Sequence, residues 1–99
     1  KMNGTRTVSE SFVLCNILEV EVEHNGIQGG DGGHGGYVKI RITDVDGNTA
    51  MDAVVTREDG AKGDEAKEIV MTFRGDHERD TLLAGLKMIV KGCPSLRIA

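Results

Sequence analysis

The residues of this chain best suited to chemistry lie in the run His24-Asn25-Gly26-Ile27-Gln28-Gly29-Gly30-Asp31-Gly32-Gly33-His34-Gly35-Gly36. Seven of these thirteen residues are glycine, and glycine loses more backbone entropy on ordering than any other residue. The segment is therefore a poor stabiliser of a fold. It is also long for a connection between strands, which usually takes about two to five residues. What it can do is bind. Without Cβ atoms, successive backbone N–H groups can converge on an anion, as they do in phosphate-binding nests. Asp31 would then accept from a ribose hydroxyl or orient the loop, and His34 would donate to the ligand. This reading selects Gly29, Gly30, Asp31, Gly32, Gly33, His34 and Gly35 as a binding site for a phosphate-bearing or nucleotide-like molecule, with Lys39 and Arg41 as cationic neighbours. A solvated connector without a task is the plainer alternative. It leaves the symmetric placement of Asp31 and His34 among paired glycines unexplained.

Familiar catalytic and cofactor patterns are missing. There is no GxxxxGK[ST], and the loop leads from one strand pattern into another, not into a helix, so the dinucleotide fingerprint fails in context. His24, Asp31, His34, Asp76 and His77 are of metal-ligand type, yet no HExxH, HxH or CxxC spacing groups them. In an up-and-down order of strands, moreover, Asp76 and His77 fall at the end of the sheet opposite the glycine loop. Asp44, Asp46 and Gly47 lack the rest of a calcium loop. No serine stands in a GxSxG elbow. Cys15 lies in an apolar strand pattern and Cys93 at a helix end, where both read as structural thiols. The expectation is a binding protein and not an enzyme, with no catalytic residue, no cofactor and no metal.

The elements that must position the loop follow from hydrophobic periodicity. Ser11–Glu23 reads as one long strand with Phe12, Leu14, Leu18, Val20 and Val22 on one face; Thr5–Val8 either begins it or forms a short strand of its own. After the loop, Tyr37–Asp44 alternates, with Val38, Ile40 and Ile42 inward and Lys39, Arg41 and Thr43 outward. Pairing Val22 with Val38 and Val20 with Ile40 also sets Glu21 opposite Lys39 and Glu19 opposite Arg41, so one register suits both faces. Asp46-Gly47 predicts a type I′ hairpin returning along Thr49–Val55, with Arg41 facing Asp52 and Ile42 facing Met51. Thr56–Glu68 reads as an exposed, mobile loop and Ile69–Phe73 as a fourth strand. Leu82, Leu83, Leu86, Ile89 and Val90 then recur at helical spacing. Asp76 suits the N-cap, Glu78 the first turn, Lys87 and Lys91 the last, Gly92 the C′ position, and Pro94 the stop. The expected fold is α+β, an antiparallel sheet of about four strands in the order β-β-β-β-α, with one C-terminal helix packed on one face.

Size and charge bound what such a domain can do. Ninety-nine residues make one domain, residues 1–99, with Met2 read as the natural start. Only Phe12, Tyr37 and Phe73 are aromatic, so a thin aliphatic core is expected, and self-association is a common remedy. The net charge of −4 and the lack of a Lys/Arg cluster argue against general nucleic-acid binding. No apolar run approaches the ~20 residues that span a bilayer. No basic start or small-residue cleavage site marks a signal peptide, so a cytoplasmic location is expected.

Gly29-Gly30-Asp31-Gly32-Gly33-His34-Gly35-Gly36, followed by a strand and later by Gly75-Asp76-His77-Glu78, resembles a group of small phage-encoded accessory proteins. Their pattern is GGDxGHGG, then a strand, then GDxE opening a terminal helix, and it covers most of the chain from the long strand onward. The resemblance implies a phage accessory protein in the host cytoplasm and assigns no catalytic residue. Phage proteins of this size often counter host defences, some by sequestering nucleotide signals. The expected function is therefore a homo-oligomeric, non-enzymatic binder that removes such a ligand from its receptor. The alternative is a protein–protein interaction module that docks on and inhibits a host protein through the acidic residues Glu19 and Glu21 or the Glu58–Asp64 segment.

Overall fold

A computed structural model of the chain describes residues 5–14, 16–26 and 35–94. Six strands precede one helix: β1 (Arg6–Val13), β2 (Ile17–His24), β3 (Tyr37–Asp44), β4 (Asp52–Arg57), β5 (Gly60–Glu65), β6 (Glu68–Arg74) and α1 (Asp76–Gly92). Four of the strands form an antiparallel sheet in the order β1-β2-β3-β6, and β4 and β5 form a separate two-stranded hairpin. The α+β class, the four-stranded antiparallel sheet and the C-terminal helix are as expected. The strands that make the sheet are not. Among the described residues no helix is long and apolar enough to cross a membrane.

The long first strand is in fact a hairpin. β1 folds back on β2 with Val13 opposite Ile17 and Phe12 opposite Leu18, so the chain reverses through residues 14–16. No glycine or proline marks this turn; Asn16 is its one turn-forming residue. The faces survive the change, because Phe12, Leu18, Val20 and Val22 still share one side of the sheet. β1 is exposed along its whole length, Phe12 and Val13 included. Cys15, read as a mid-strand thiol, lies outside the described residues; Cys93 is an exposed free thiol.

Between β2 and β3 the register differs by two residues from the expected one. Val22 faces Ile40 and Val20 faces Ile42, while Glu23 faces Lys39 and Glu21 faces Arg41. A slip of one would turn every apolar side chain outward, but a slip of two preserves both faces. Either register also matches acid to base, so the strand patterns could not choose between them. The neck of the glycine loop decides it, as described below.

The Asp46-Gly47 hairpin does not form either. Gly47 has φ +76°, but Asp46 has no positive φ, so the type I′ geometry is absent. Instead Asp44 Oδ1 accepts from the Gly47 N–H at 3.0 Å and Asp46 Oδ1 from the Asn48 N–H at 3.2 Å. The second bond holds the Asp46 carboxyl below its usual pKa. This bend sends the chain away from the sheet into the β4–β5 hairpin. Its turn is Glu58-Asp59, with Arg57 opposite Gly60 and Gly60 at φ +136°. The segment expected as a mobile loop is thus mostly ordered strand, though exposed as expected. Arg41 accordingly faces Val70 of β6, not Asp52, and Ile42 faces Ile69, not Met51. Ile69, Met71 and Phe73 continue the apolar face of β3, whereas β4 offers adjacent Val54 and Val55 that cannot both turn inward.

The core is thin. Among the described residues only Val38 (3% exposed) and Ile40 (7% exposed), at the centre of the inner face, are buried apolar side chains. α1 leans on β6 and β3 and covers that half of the face. Its own apolar stripe stays largely open, with Leu83, Leu86, Ile89 and Val90 all exposed.

Candidate functional site

The strand order brings both signature segments to one end of the sheet. β2 ends at His24, β3 begins at Tyr37, and β6 runs antiparallel to β3 so that Arg74 faces Tyr37. Gly75 and the first turn of α1 therefore sit beside the glycine loop. This overturns the expectation that Asp76 and His77 lie at the far end of the sheet. That placement assumed that the segment after β3 joined the same sheet; its departure as the β4–β5 hairpin reverses the direction of the next strand in the sheet.

Asn25 closes the neck of the loop. Its Nδ2 donates to the Gly35 carbonyl and its Oδ1 accepts from the Tyr37 N–H, each at 2.9 Å. One side chain thus spans both arms of the loop and fixes the register of β2 on β3. The Gly26 N–H donates to His24 Nδ1 at 3.0 Å, and the Tyr37 hydroxyl donates to Glu23 Oε2 at 2.9 Å. On the other side, the Gly75 N–H donates to the Gly36 carbonyl at 2.6 Å. Gly26, Gly36 and Gly75 are all buried. A Cβ on Gly36 would overlap Asp76 Oδ1 and lie 3.5 Å from the Gly26 carbonyl oxygen, so the neck is packed directly against the helix start.

The helix start differs from expectation in a way that matters here. Gly75, not Asp76, is the N-cap; its φ of +113° and ψ of 146° belong to a region open essentially to glycine alone. Asp76 is the first helical residue. Its carboxylate lies instead against Gly36. Glu78 folds back over Gly75, so that two acids offset the positive end of the helix dipole. At the other end Gly92 is still helical and Cys93 is the C-cap, its N–H bonded to the Ile89 carbonyl at 3.0 Å.

Of the nine residues selected from the sequence, Gly29, Gly30, Asp31, Gly32, Gly33 and His34 lie outside the described residues. Gly35 is exposed at the neck and tied to Asn25. Lys39 and Arg41 stand on the outer face of the sheet, already paired with carboxylates. Lys39 Nζ lies 3.9 Å from Glu23, and Arg41 lies 3.0 Å from Glu21 and 3.8 Å from Glu68. Pairs this exposed contribute about 0–1 kcal/mol. Arg41 is also two ladder positions further from the loop than Lys39. The better-placed cation is Arg79 in the first turn of α1. Its side chain is only 11% exposed, and its Nε has no hydrogen-bond partner among the described residues; Nη2 lies 3.7 Å from the exposed Asp80. Its backbone N–H donates to the Gly75 carbonyl at 3.0 Å, which places Arg79 in the turn that adjoins the neck. The register places Arg6 on the inner face beside His24, and Arg74 on the outer face beside Tyr37. Among the described residues no three His, Cys, Asp or Glu side chains are grouped to hold a metal ion.

The residues missed from the sequence are Asn25, Gly26, Gly36 and Gly75. Asn25 carried no signal beyond being a polar residue at a strand end. The pairing of Gly75 with Asp76 was visible, but its partner across the sheet was not.

Fold and site together define a small α+β domain in which the neck of the β2–β3 connection, at Gly26 and Gly36, is packed against the start of a terminal helix. The chain matches no protein-family model, no curated protein and no solved structure to which it was compared.

Proposed function

We propose that the protein is a non-enzymatic, homo-oligomeric binder of a phosphate-bearing or nucleotide-like small molecule, captured by the glycine loop and sequestered from its receptor. The observation that carries this reading is the neck. Asn25 joins the two arms of the loop, and buried glycines at positions 26, 36 and 75 seat it against α1. A connector without a task does not need its ends fixed this closely. Asp76 and Glu78 already offset the helix dipole, so the donors to the anion are the N–H groups of the loop and the cations at this end, Arg79 and Arg6. His34 donates to the ligand and Asp31 accepts from a sugar hydroxyl. Lys39 and Arg41 keep to their carboxylates and contribute little. As in the phage accessory group that the sequence resembles, the setting is the host cytoplasm, and the effect is the removal of a defence signal.

Native mass spectrometry of protein freshly purified from its host tests this. A nucleotide-sized mass that is retained gently and released on denaturation supports the reading. In addition, Gly33→Val should abolish that retained mass while leaving the melting temperature unchanged or higher, because valine lowers the entropy of the unfolded chain. A ligand-free spectrum, together with no thermal stabilisation by a panel of nucleotides and cyclic nucleotides, rejects it; a bound ligand must stabilise by mass action.

A second reading is favoured by the β4–β5 hairpin, which stands outside the main sheet with all of β5 exposed. As the docking element for a host protein, it would present Glu58, Asp59, Asp64 and Glu65. Reversing those charges should then abolish capture of the partner, with the melting temperature unchanged. Glycine-loop variants would capture it normally.

A further inference from the structure

We propose that His24 is a pH-sensitive latch on the neck of the β2–β3 connection: its neutral ring holds Gly26, and its protonated ring releases it. The Gly26 N–H donates to His24 Nδ1 at 3.0 Å. Only a ring nitrogen with a free lone pair can accept, so this bond needs a neutral ring with its proton on Nε2. Once the ring takes up a second proton, both nitrogens are donors and neither can accept. Two N–H groups would then face each other, and the bond is lost outright. Histidine is the side chain that changes charge in the range of about pH 5 to 8. The stabilisation is therefore present at neutral pH and disappears as the pH falls.

The bond lies where its loss is felt. Gly26 is buried, with φ +72°, and buried backbone N–H groups are almost always paired. It follows Asn25, which ties the Gly35 carbonyl to the Tyr37 N–H. Its own carbonyl oxygen lies beside Gly36, whose carbonyl accepts from the Gly75 N–H at the start of α1. One imidazole proton thus bears on the contact between the neck and the helix. Charge around the ring acts in the same direction. On the inner face, β1 sets Arg6 opposite His24, and β3 sets the uncharged Val38 on its other side. Glu23 and Lys39 belong to the outer face and lie 3.9 Å from each other. At this end α1 carries Asp76 and Glu78, whose carboxylates lie against Gly36 and Gly75, together with Arg79 and the exposed His77. For the protonated Nδ1 to pair with either acid, the ring must turn away from Gly26, which opens the same bond. The latch is a property of the chain without ligand, so it stands or falls independently of what the glycine loop binds.

Nuclear magnetic resonance of the full chain tests this. At about pH 8 the His24 ring should carry its proton on Nε2, and the Gly26 amide resonance should move with the ring as the pH is lowered to about 5. His24→Asn is the control, because an asparagine Oδ1 accepts from the N–H two residues on, whatever the pH. Between about pH 7.5 and pH 5.5 the melting temperature of the wild-type chain should fall by about 4–8 °C more than that of His24→Asn, the effect of one lost hydrogen bond. His34 and His77 are present in both chains and cancel in the comparison. A His24 ring protonated on Nδ1 at pH 8 overturns the proposal. So does a Gly26 amide that does not titrate with His24, or an equal loss of stability in the two chains. Should His24→Asn fail to fold, the titration of the wild-type chain decides alone.

Discussion

Gly36→Val should both destabilise the domain and release its ligand, and Asp76→Ala should rescue part of that loss. Gly36 is buried, and any Cβ there meets the Asp76 carboxylate on one side and the Gly26 carbonyl oxygen on the other. The Asp76 carboxylate would have to turn away from the neck, and the Gly36 backbone cannot yield freely, because its carbonyl is held by the Gly75 N–H. Overfilling of this kind costs about 1–3 kcal/mol, which at ~4–8 °C per kcal/mol for a domain of this size is a clear fall in melting temperature. Because the neck seats the loop on the helix, the binding loss should exceed what the folded fraction alone explains. Asp76→Ala makes room, so Gly36→Val should cost less in that background, with a coupling of about 0.5–3 kcal/mol in a double-mutant cycle. The measurements are thermal unfolding and retained-ligand mass for all four combinations. Additive effects would show that the contact between Gly36 and Asp76 does not hold the neck.

Ile40→Ala should be the most damaging single truncation in the sheet. Ile40 lies at the centre of the inner face, with Val22 on one side and Met71 on the other, and among the described residues Val38 is the one other buried apolar side chain. Removing a buried isoleucine side chain beyond Cβ typically costs about 2–5 kcal/mol. The whole stability of such a domain is about 5–15 kcal/mol, and a larger core would spread the loss over more neighbours. The expected result is a fall of at least ~10 °C in melting temperature. The same truncation at Val70, across the same ladder but on the outer face, should change little. Equal effects at Ile40 and Val70 would mean that the inner face of the monomer is not the core.

Both variants act at places that the chain reveals to different degrees. Alternation over Tyr37–Asp44 was enough to put Val38 and Ile40 inside and Lys39 and Arg41 outside, because side chains on a strand alternate whatever its neighbours. Helical spacing from Leu82 to Val90 was enough to define the terminal helix and its stripe. The glycine run marked the candidate site by composition alone.

Which strands are neighbours was decided elsewhere. Asp46-Gly47 announces a hairpin that does not form. β6 takes the place beside β3, because it brings three alternating apolar residues, whereas β4 brings two adjacent valines. The turn at residues 14–16 had no glycine to announce it, and the two-residue register choice between β2 and β3 left every pattern satisfied. The neighbour of β3 and the register of β2 are non-local decisions. They rest on apolar pairs between β3 and β6, from Ile42 with Ile69 to Val38 with Phe73, and on one asparagine spanning a loop. Local sequence therefore determined the elements, their faces and the glycine loop. Only the tertiary structure decided that β6 lies beside β3, and hence that Gly36, at the neck of the loop, meets the first turn of α1.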